Sequence, residues 1–461
     1  MSIAYINTEP RTERDSQYFF SAWRVVEIGF FVALHATCFS LAAAGYLILG
    51  RRRRLGALFG RSMANLLEAL GPTFIKIGQV LSSRPDLLPG EIINALSRLQ
   101  DEIAPFDVRK IPAIIQQAFG RPVEEIFESL DLDHVSAASV AHVHRARLKD
   151  GRKVAVKIRR PGIIRLVDSD LAILRFIAKT LARIPALRTM PLTQLVDDIG
   201  TPIRQQLDFV LEAENNRLFH EQFARVEHIR FPRLVEELCT DSVLTMEYLD
   251  DLQKVTSSTF AEAERKVAAL AGLRALYKMI FSDGFIHADM HPGNVFVREW
   301  GEFVILDTGL VARLSPPDMK DFVDFFFGLI NNDGKECARI VYETALYRTS
   351  SCDRQLFEAA MIDLIARHSS LKSREFEVTR FVYQLIETQR RFGICGSTKF
   401  MMTILSMVVF DGICKQLYPE CDFQAEARGF LIVARYRRMP HRPATKTIRA
   451  SRYEKLFASA R

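Results

Sequence analysis

The chain has no C-x-x-C pair. Its seven cysteines (Cys38, Cys239, Cys337, Cys352, Cys395, Cys414 and Cys421) are scattered and odd in number. A disulfide framework needs paired spacings and a zinc module needs clustered thiols, so both are excluded, and a reducing compartment fits. There is no internal repeat, no zinc-finger spacing and no RNA-binding aromatic signature, which argues against nucleic acid as a partner. Net charge is also missing from most of the chain. The formal total is +7, yet Arg435–Arg461 alone carries nine Lys/Arg against Glu454, a local +8. The remainder is close to neutral, and a basic tail on a neutral body suits either a membrane surface or plain solvation. What remains is ordinary globular composition, 48% hydrophobic and 25% charged, long enough for two or three domains with a substantial core.

One segment lacks charge altogether. Ile28–Leu49, IGFFVALHATCFSLAAAGYLIL, has His35, Cys38 and Tyr46 as its only ionisable side chains. About twenty such residues can span a bilayer. Arg51, Arg52, Arg53 and Arg54 follow at once, which places everything after them in the cytoplasm. The run is too long, and too basic at its end, for a cleaved signal peptide. The expectation is a single-pass inner-membrane helix; the alternative is a hairpin or interfacial helix lying on the membrane or packed on the protein.

Periodicity then divides the chain. Residues 55–134 read as helical, punctuated by Gly and Pro. Val140–Leu148 and Lys153–Arg160 alternate around Asp150-Gly151, a hairpin signal. A long helical region follows, RFPRLVEEL and SVLTMEYLDD restore strand character, and the rest is helical except for NVFVREW and EFVILDTG, which read as a strand pair. The expected organisation is α+β: a tail (1–24), a membrane or anchor helix (25–50), a helical extension (51–134), a β-containing lobe with inserted helices (135–250), a helical lobe (251–434) and a basic tail (435–461). FMMTILSMVVF ends in Asp411 and reads as a core helix, not an anchor.

Within the extension, GPTFIKIGQVLSSRPDLLP places Phe74, Ile77, Val80 and Leu81 on one helical face and Lys76 and Gln79 on another, beside a costly mid-helix Gly78. The strongest chemical signal is FIHADMHPGNVFVREWGEFVILDTG (285–309). Phosphoryl transfer from ATP needs a carboxylate at the nucleophile, and an amide oxygen with a second carboxylate to hold Mg²⁺. Asp289 and Asn294 match D-x-x-x-x-N, and Asp307-Thr308-Gly309 stands where a metal-binding D-x-G belongs, after an apolar strand. His287, Asp289 and His291 also spell H-x-D-x-H, but a metal cluster there leaves Asn294 and Asp307 without a role; His287 fits better as a structural residue. Upstream, Lys157 in VAVK sits on the second hairpin strand, where a kinase-like fold keeps its phosphate-contacting lysine. Its glutamate partner is Glu212 or Glu214. Glu247 in SVLTMEYLDD joins the candidate nucleotide-binding residues. A G-x-G-x-x-G loop is absent; Ser136, Ala137, Ala138, Ser139, Val140 and Ala141 stand in its place, and alanine disfavours positive φ.

Taken together, KIGQ (76–79), SAASVAHVHRA, VAVK, LDFVLEAEN, HADMHPGN and LDTG resemble the UbiB family, the AarF-domain atypical kinases, over roughly residues 55–430. The resemblance implies a bilobal protein-kinase-like fold with ATP and Mg²⁺ as cofactors. It implies ATPase activity rather than ordinary protein kinase activity, in support of ubiquinone or related isoprenoid lipid biosynthesis at a membrane. Partners would be nucleotide, membrane lipids or quinone precursors, and quinone-biosynthesis enzymes. It assigns Lys157 and Glu212 as the lysine–glutamate pair, Asp289 as the catalytic-loop aspartate, Asn294 and Asp307 as metal ligands, Asp208 as the aspartate of an E-x-D motif, and Lys76 and Gln79 to the nucleotide pocket with Ala137, Ala138, Ser139 and Val140. The chain departs from the family at Gln206, where E-x-D has its glutamate, at His142, where glutamine is usual, and at Thr308, in place of the Phe of D-F-G. Two other readings fit part of the pattern. HADMHPGN also resembles aminoglycoside and choline kinases, and a nucleotide-switched scaffold for membrane enzymes would keep the pocket without the turnover.

Overall fold

The structure is a computed structural model that describes residues 22–82, 84, 88–99, 106–137, 140–184, 192–257, 260–349, 352–369 and 376–436. The basic tail beyond Tyr436, and Ala138 and Ser139 of the alanine-rich loop, lie outside these residues. The helices are α1 (Ala22–Ile48), α2 (Leu55–Leu70), α3 (Pro72–Ser82), α4 (Gly90–Leu96), α5 (Ile111–Phe119), α6 (Val123–Ile126), α7 (Ile163–Leu181), α8 (Leu192–Leu207), α9 (Phe209–Phe223), α10 (Glu262–Tyr277), α11 (Pro316–Ile330), α12 (Gly334–Glu343), α13 (Arg354–Ser369), α14 (Val378–Arg391), α15 (Thr398–Leu417) and α16 (Phe423–Tyr436). The strands used below are β1 (Phe127–Ala137), β2 (Ala141–Leu148), β3 (Lys153–Arg159), β4 (Ile229–Arg230), β5 (Val243–Glu247), β6 (Gln253–Lys254), β7 (Phe285–His287), β8 (Val295–Arg298), β9 (Glu302–Ile305) and β10 (Val311–Arg313). The chain divides into two compact units, one drawn from residues 22–82, 91–99, 160–184 and 192–204, the other from the rest.

The smaller unit is helical. The six residues from Leu49 to Arg54 join α1 to α2, and the two pack side by side as an antiparallel hairpin, with Phe39 and Phe59 edge to face at 5.6 Å. Behind α2 the backbones close tightly. A Cβ built at Gly60 would meet Ala95 Cβ at 2.9 Å and the Ile92 Cα at 3.1 Å, so α4 sits directly on α2. Gly78 in the middle of α3 has the same origin, since a Cβ there would fall 2.1 Å from Leu99 Cδ1 and 2.9 Å from Leu67 Cδ1. Close side-chain packing, not flexibility, accounts for the glycine that helix propensity disfavours. The base of α1 is tied down by Arg24. Its Nε and Nη2 meet Asp170 Oδ1 and Oδ2 of α7 at 2.7 and 3.0 Å, and Nη2 also donates to the Leu70 carbonyl at 2.7 Å. Asp170 is fully buried.

The larger unit holds a four-stranded antiparallel sheet in the order β1-β2-β3-β5. The β2–β3 hairpin turns at Asp150-Gly151 as its sequence requires, with Gly151 at φ +86°, a conformation that suits glycine. One face of this sheet buries Phe127, Val154, Val156 and Ile158 against Ile111 and Ile115 of α5. The sheet begins at Phe127, so residues 127–134 are strand where helix was expected; Leu130 and Leu132 alternate while Phe127 and Leu130 keep a helical spacing, so this short run fits both periods. The expected β8–β9 strand pair is present, registered Val295↔Ile305, within a second sheet ordered β4-β9-β8-β6. Helices α10–α16 pack around an aromatic core that includes Tyr277, Phe322, Phe325 and Phe410, each fully buried. α15, the second apolar helix of the chain, is largely enclosed in that core, as a core helix should be.

Removing one partner of a buried ion pair leaves an uncompensated charge, which typically costs 3–5 kcal/mol, roughly. Arg24→Met should therefore destabilise the smaller unit by about that much, and Arg24→Met with Asp170→Leu should recover most of it. Chemical denaturation followed by circular dichroism measures both. Equal stability of Arg24→Met and wild type would show that the pair does not form.

Candidate active site

The larger unit builds its site from four elements. β3 lies between β2 and β5 and carries Lys157, which faces Val143 and Leu244 in the two ladders. α9 starts at an N-cap, Asp208, whose Oδ1 accepts from the Leu211 N–H at 3.0 Å, so the E-x-D aspartate has a helix-capping role here. One turn on, Glu212 points at β3. β7 leads into the loop bearing Asp289 and Asn294, and Asp307 follows two residues after the end of β9.

Lys157 Nζ lies 2.7 and 2.9 Å from the two Glu212 oxygens and 2.9 Å from Asp307 Oδ2. Glu212, and not Glu214, is the partner. Desolvation alone would lower the lysine pKa, but Asp307 and Glu212 outweigh it and raise it above its usual value. The two carboxylates share this cation unequally. Burial pushes Glu212 up to about 7 despite Lys157. Burial also acts on Asp307, but Lys157 and the Gly309 N–H, which donates to Oδ1 at 2.8 Å, hold its carboxyl well below the usual carboxylate range. Asp307 is the more exposed of the two side chains, at 32% against 2%.

Secondary contacts fix the loops. Thr308 Oγ1 donates to the Glu212 carbonyl at 3.1 Å, and Asn215 Nδ2 donates to the Thr308 carbonyl at 3.0 Å, so the D-T-G segment is fastened to α9 from both sides. The His287 imidazole accepts the Asp289 N–H at Nδ1 (3.2 Å) and donates from Nε2 to the Asp307 carbonyl. Burial keeps this imidazole neutral, with its pKa lowered. Both ring nitrogens are thus spent inside the loop, which removes the H-x-D-x-H metal reading. Among the described residues no cluster of three or more His, Cys, Asp or Glu is arranged for a metal. Asn294 Nδ2 donates to the Asp289 carbonyl at 2.9 Å, and Gln206 Nε2 donates to Asp289 Oδ2 at 3.0 Å. Asn294 and Asp307 supply an amide oxygen and a carboxylate, hard donors suited to Mg²⁺, a cation that usually takes few protein ligands and completes its shell with phosphate and water.

The remaining candidates are placed as follows. Val140 is buried just ahead of β2, and the backbone of Ala137 pairs with His142 at the same end of the hairpin. This end lies next to Ile158 and Arg159 of β3, one and two residues beyond Lys157. His142 is fully buried, stacked on Phe106 at 3.9 Å, and its Nε2 accepts the Phe106 N–H. The Glu247 carboxylate ends β5 and is held by Arg230 at 2.9 Å and by the Arg233 N–H. Lys76 and Gln79 are in the smaller unit, half-buried, where Gln79 Nε2 donates to the Leu99 carbonyl at 3.3 Å. The residues that sequence reasoning passed over are Asn215 and the Gln206–Asp289 contact. The first lies inside the quoted LDFVLEAEN motif; the second had no signal beyond the substitution itself.

A β3 lysine paired to a helix glutamate, beside a D-x-x-x-x-N loop and a D-x-G, defines a kinase-like protein. The comparisons agree. The ABC1 atypical kinase-like domain matches residues 98–341, just over half of the chain. Among curated relatives, the protein named "Probable protein kinase UbiB" from Pseudomonas putida is 32% identical over 379 residues, covering 81% of this chain and 70% of that one. The same name is carried by proteins of Pseudomonas entomophila, 32% identical over 387 residues (82% and 72%), and Pseudomonas fluorescens, 31% over 404 (86% and 75%). In the solved complex of Rv3197 with erythromycin from Mycobacterium tuberculosis, the protein is similar in fold, with a TM-score of 0.55 at 20% identity, over 84% of this chain and 97% of that one. The chain belongs to the ABC1 atypical kinase-like family, in which its UbiB relatives stand.

The Glu212 value fixes a pH dependence. The unfolded chain releases this proton near the ordinary pKa of about 4.3, the folded chain at about 7. Between these the native state holds the extra proton, so this group's contribution to stability falls as pH rises through the window. Glu212→Gln should flatten a decline that reaches at most about 1.4 kcal/mol per pH unit. Denaturant midpoints from pH 5 to 7 measure it (roughly the window set by the two values), and an unchanged slope in the variant would refute the assignment.

Proposed function

We propose that this protein binds ATP with Mg²⁺ and catalyses phosphoryl transfer or ATP hydrolysis in support of ubiquinone or related isoprenoid lipid biosynthesis at a membrane. The observation that carries this reading is the Lys157 ammonium, seated 2.7–2.9 Å from both Glu212 and Asp307. Lys157 is positioned to contact the α- and β-phosphates, with Glu212 fixing its direction. Asp289, oriented by Gln206 and by the backbone of its own loop, accepts the proton of the attacking hydroxyl or water. Asn294 and Asp307 would hold the metal, which when bound neutralises charge on the phosphates. The β1–β2 hairpin end, with Ala137 and Val140, covers the nucleotide, and the backbone beside Glu247 meets the base. Lys76 and Gln79 join the proposal on the K-x-G-Q motif alone. The curated relatives' name supports the kinase-like part; the quinone role rests on the family resemblance. The apolar α1 supports attachment to a membrane, with the kinase-like unit on the cytoplasmic side of the inner membrane.

Two variants separate binding from chemistry. Wild type should be stabilised by ATP with Mg²⁺ by a few kcal/mol, roughly, at saturating ligand. Asp307→Asn should lose the Mg²⁺-dependent part of that shift. Asp289→Asn should keep the shift and lose about 10²–10⁴ in turnover. Calorimetric melting and phosphate release in detergent give both readouts. No nucleotide-dependent shift in wild type, with or without lipid, would overturn the proposal.

A further inference from the structure

We propose that α1 docks in the plane of an anionic bilayer, with its outer face in the interfacial layer and both of its ends on the same side. This rests on the membrane-association reading above and specifies how it is achieved.

The outer face is built for an apolar medium. Trp23, Val26, Phe30, Leu41 and Ile48 are exposed, at 76%, 61%, 61%, 72% and 85%. No Asp, Glu, Lys or Arg occurs between Glu27 and Arg51. The inner face is already committed. Ile28, Phe31, His35, Phe39, Ala42 and Tyr46 recur at three- and four-residue spacing and are its sheltered positions. α2 packs along α1, and α4 packs on α2 through Gly60. α1 is thus the outermost layer of a stack, not a free rod.

An upright α1 meets two obstacles. Crossing a bilayer with its neighbours attached would carry Arg61 and Glu68 of α2 and Glu91 of α4 into hydrocarbon. Crossing without them would strip α1 from α2 and pull Arg24 from Asp170, leaving a carboxylate that is 0% exposed without its cation. Lying in the plane requires neither. In an isolated interfacial helix a polar face looks away from lipid; here the protein body occupies that side. The occupant is identified by charge as well. Arg51, Arg52 and Arg54 are exposed directly after the apolar face, where they meet anionic headgroups.

The chain has two tryptophans, Trp23 and Trp300, both exposed, so indole fluorescence reads depth directly in the full-length protein. Trp300→Phe leaves Trp23 as the sole indole. Adding Trp23→Phe, the indole is then moved along the outer face by Phe30→Trp, Leu41→Trp or Ile48→Trp. Each variant is mixed with phosphatidylcholine–phosphatidylglycerol vesicles brominated at shallow or deep acyl positions. In-plane docking predicts the same shallow quenching at all four positions, and about fivefold weaker vesicle binding for each of Arg51→Gln and Arg52→Gln. Depth that varies along the helix, greatest near its middle, would show a crossing and overturn the proposal while preserving membrane association. Binding to neutral vesicles as tight as to anionic ones would overturn the charge argument. No quenching at any position, with the indoles open to aqueous quencher, would remove both the docking and the membrane reading.

Discussion

One ammonium group, Lys157 Nζ, ties three elements of the kinase-like unit together. It joins a sheet strand, the first turn of α9 and the segment after β9, three elements far apart in sequence, by contacts of 2.7–2.9 Å. A cation this buried is stable only because two carboxylates meet it, and the carboxylates are tolerable only because it is there. The arrangement is therefore self-enforcing: β3 cannot shift along β5, nor α9 rotate, without exposing a charge to an apolar interior. The same economy separates the two carboxylates. Glu212, almost wholly enclosed, absorbs the desolvation and serves as the anchor, whereas Asp307, more exposed and steadied by the Gly309 N–H, stays ionised and open to a cation.

The shell around this triad explains how the departures from the family pattern are accommodated. Thr308 in place of phenylalanine gives D-T-G a hydroxyl, and that hydroxyl is used, donating to the Glu212 carbonyl. Gln206 in place of glutamate changes the charge beside the Asp289 loop. A carboxylate there would face Asp289 across about 3 Å and raise the energy of both ions. The amide instead donates to Asp289 Oδ2, so the loop aspartate is held by a neutral donor. His142 takes the place of glutamine and is absorbed by stacking on Phe106. Each of the three residues makes a local contact of its own around Lys157, Asp289, Asn294 and Asp307 or beside the alanine-rich loop.

How far the sequence could be read follows from which interactions are local. The β2–β3 hairpin was legible because Asp150-Gly151 sets the turn and alternation sets the faces. The β8–β9 pair was legible for the same reason, and with it the spacing of Asp289, Asn294 and Asp307. Lys157 was legible only through those neighbours. The choice between Glu212 and Glu214 needed the resemblance, because residues two apart on a helix point apart but nothing local says which one meets β3. Asn215, which reaches 93 residues along the chain to Thr308, leaves no trace in spacing. Neither does Gly78, whose position in α3 is set by Leu67 of α2 and by Leu99, just past α4. Residues 127–134 were misread because the spacing of Phe127, Leu130 and Leu132 satisfies both periods, and only the partner strand decides.

The N-terminal helix makes the same point about function. By composition α1 is long and apolar enough to cross a bilayer, and so is α15, which the core encloses. Hydropathy registers both alike because it sees the helix and not its neighbours. What ties α1 to its own unit is an ion pair at its base. Arg24 is placed where an apolar helix enters the protein, and its partner Asp170 has no access to water. The free energy of keeping that pair intact is comparable to what an apolar face gains from lipid, so the two can be satisfied together only if α1 stays on its own unit and offers lipid its outer side. Buried ion pairs thus do in both units what apolar packing alone cannot. In one they hold the Lys157 ammonium between two carboxylates, and in the other they hold the base of an apolar helix.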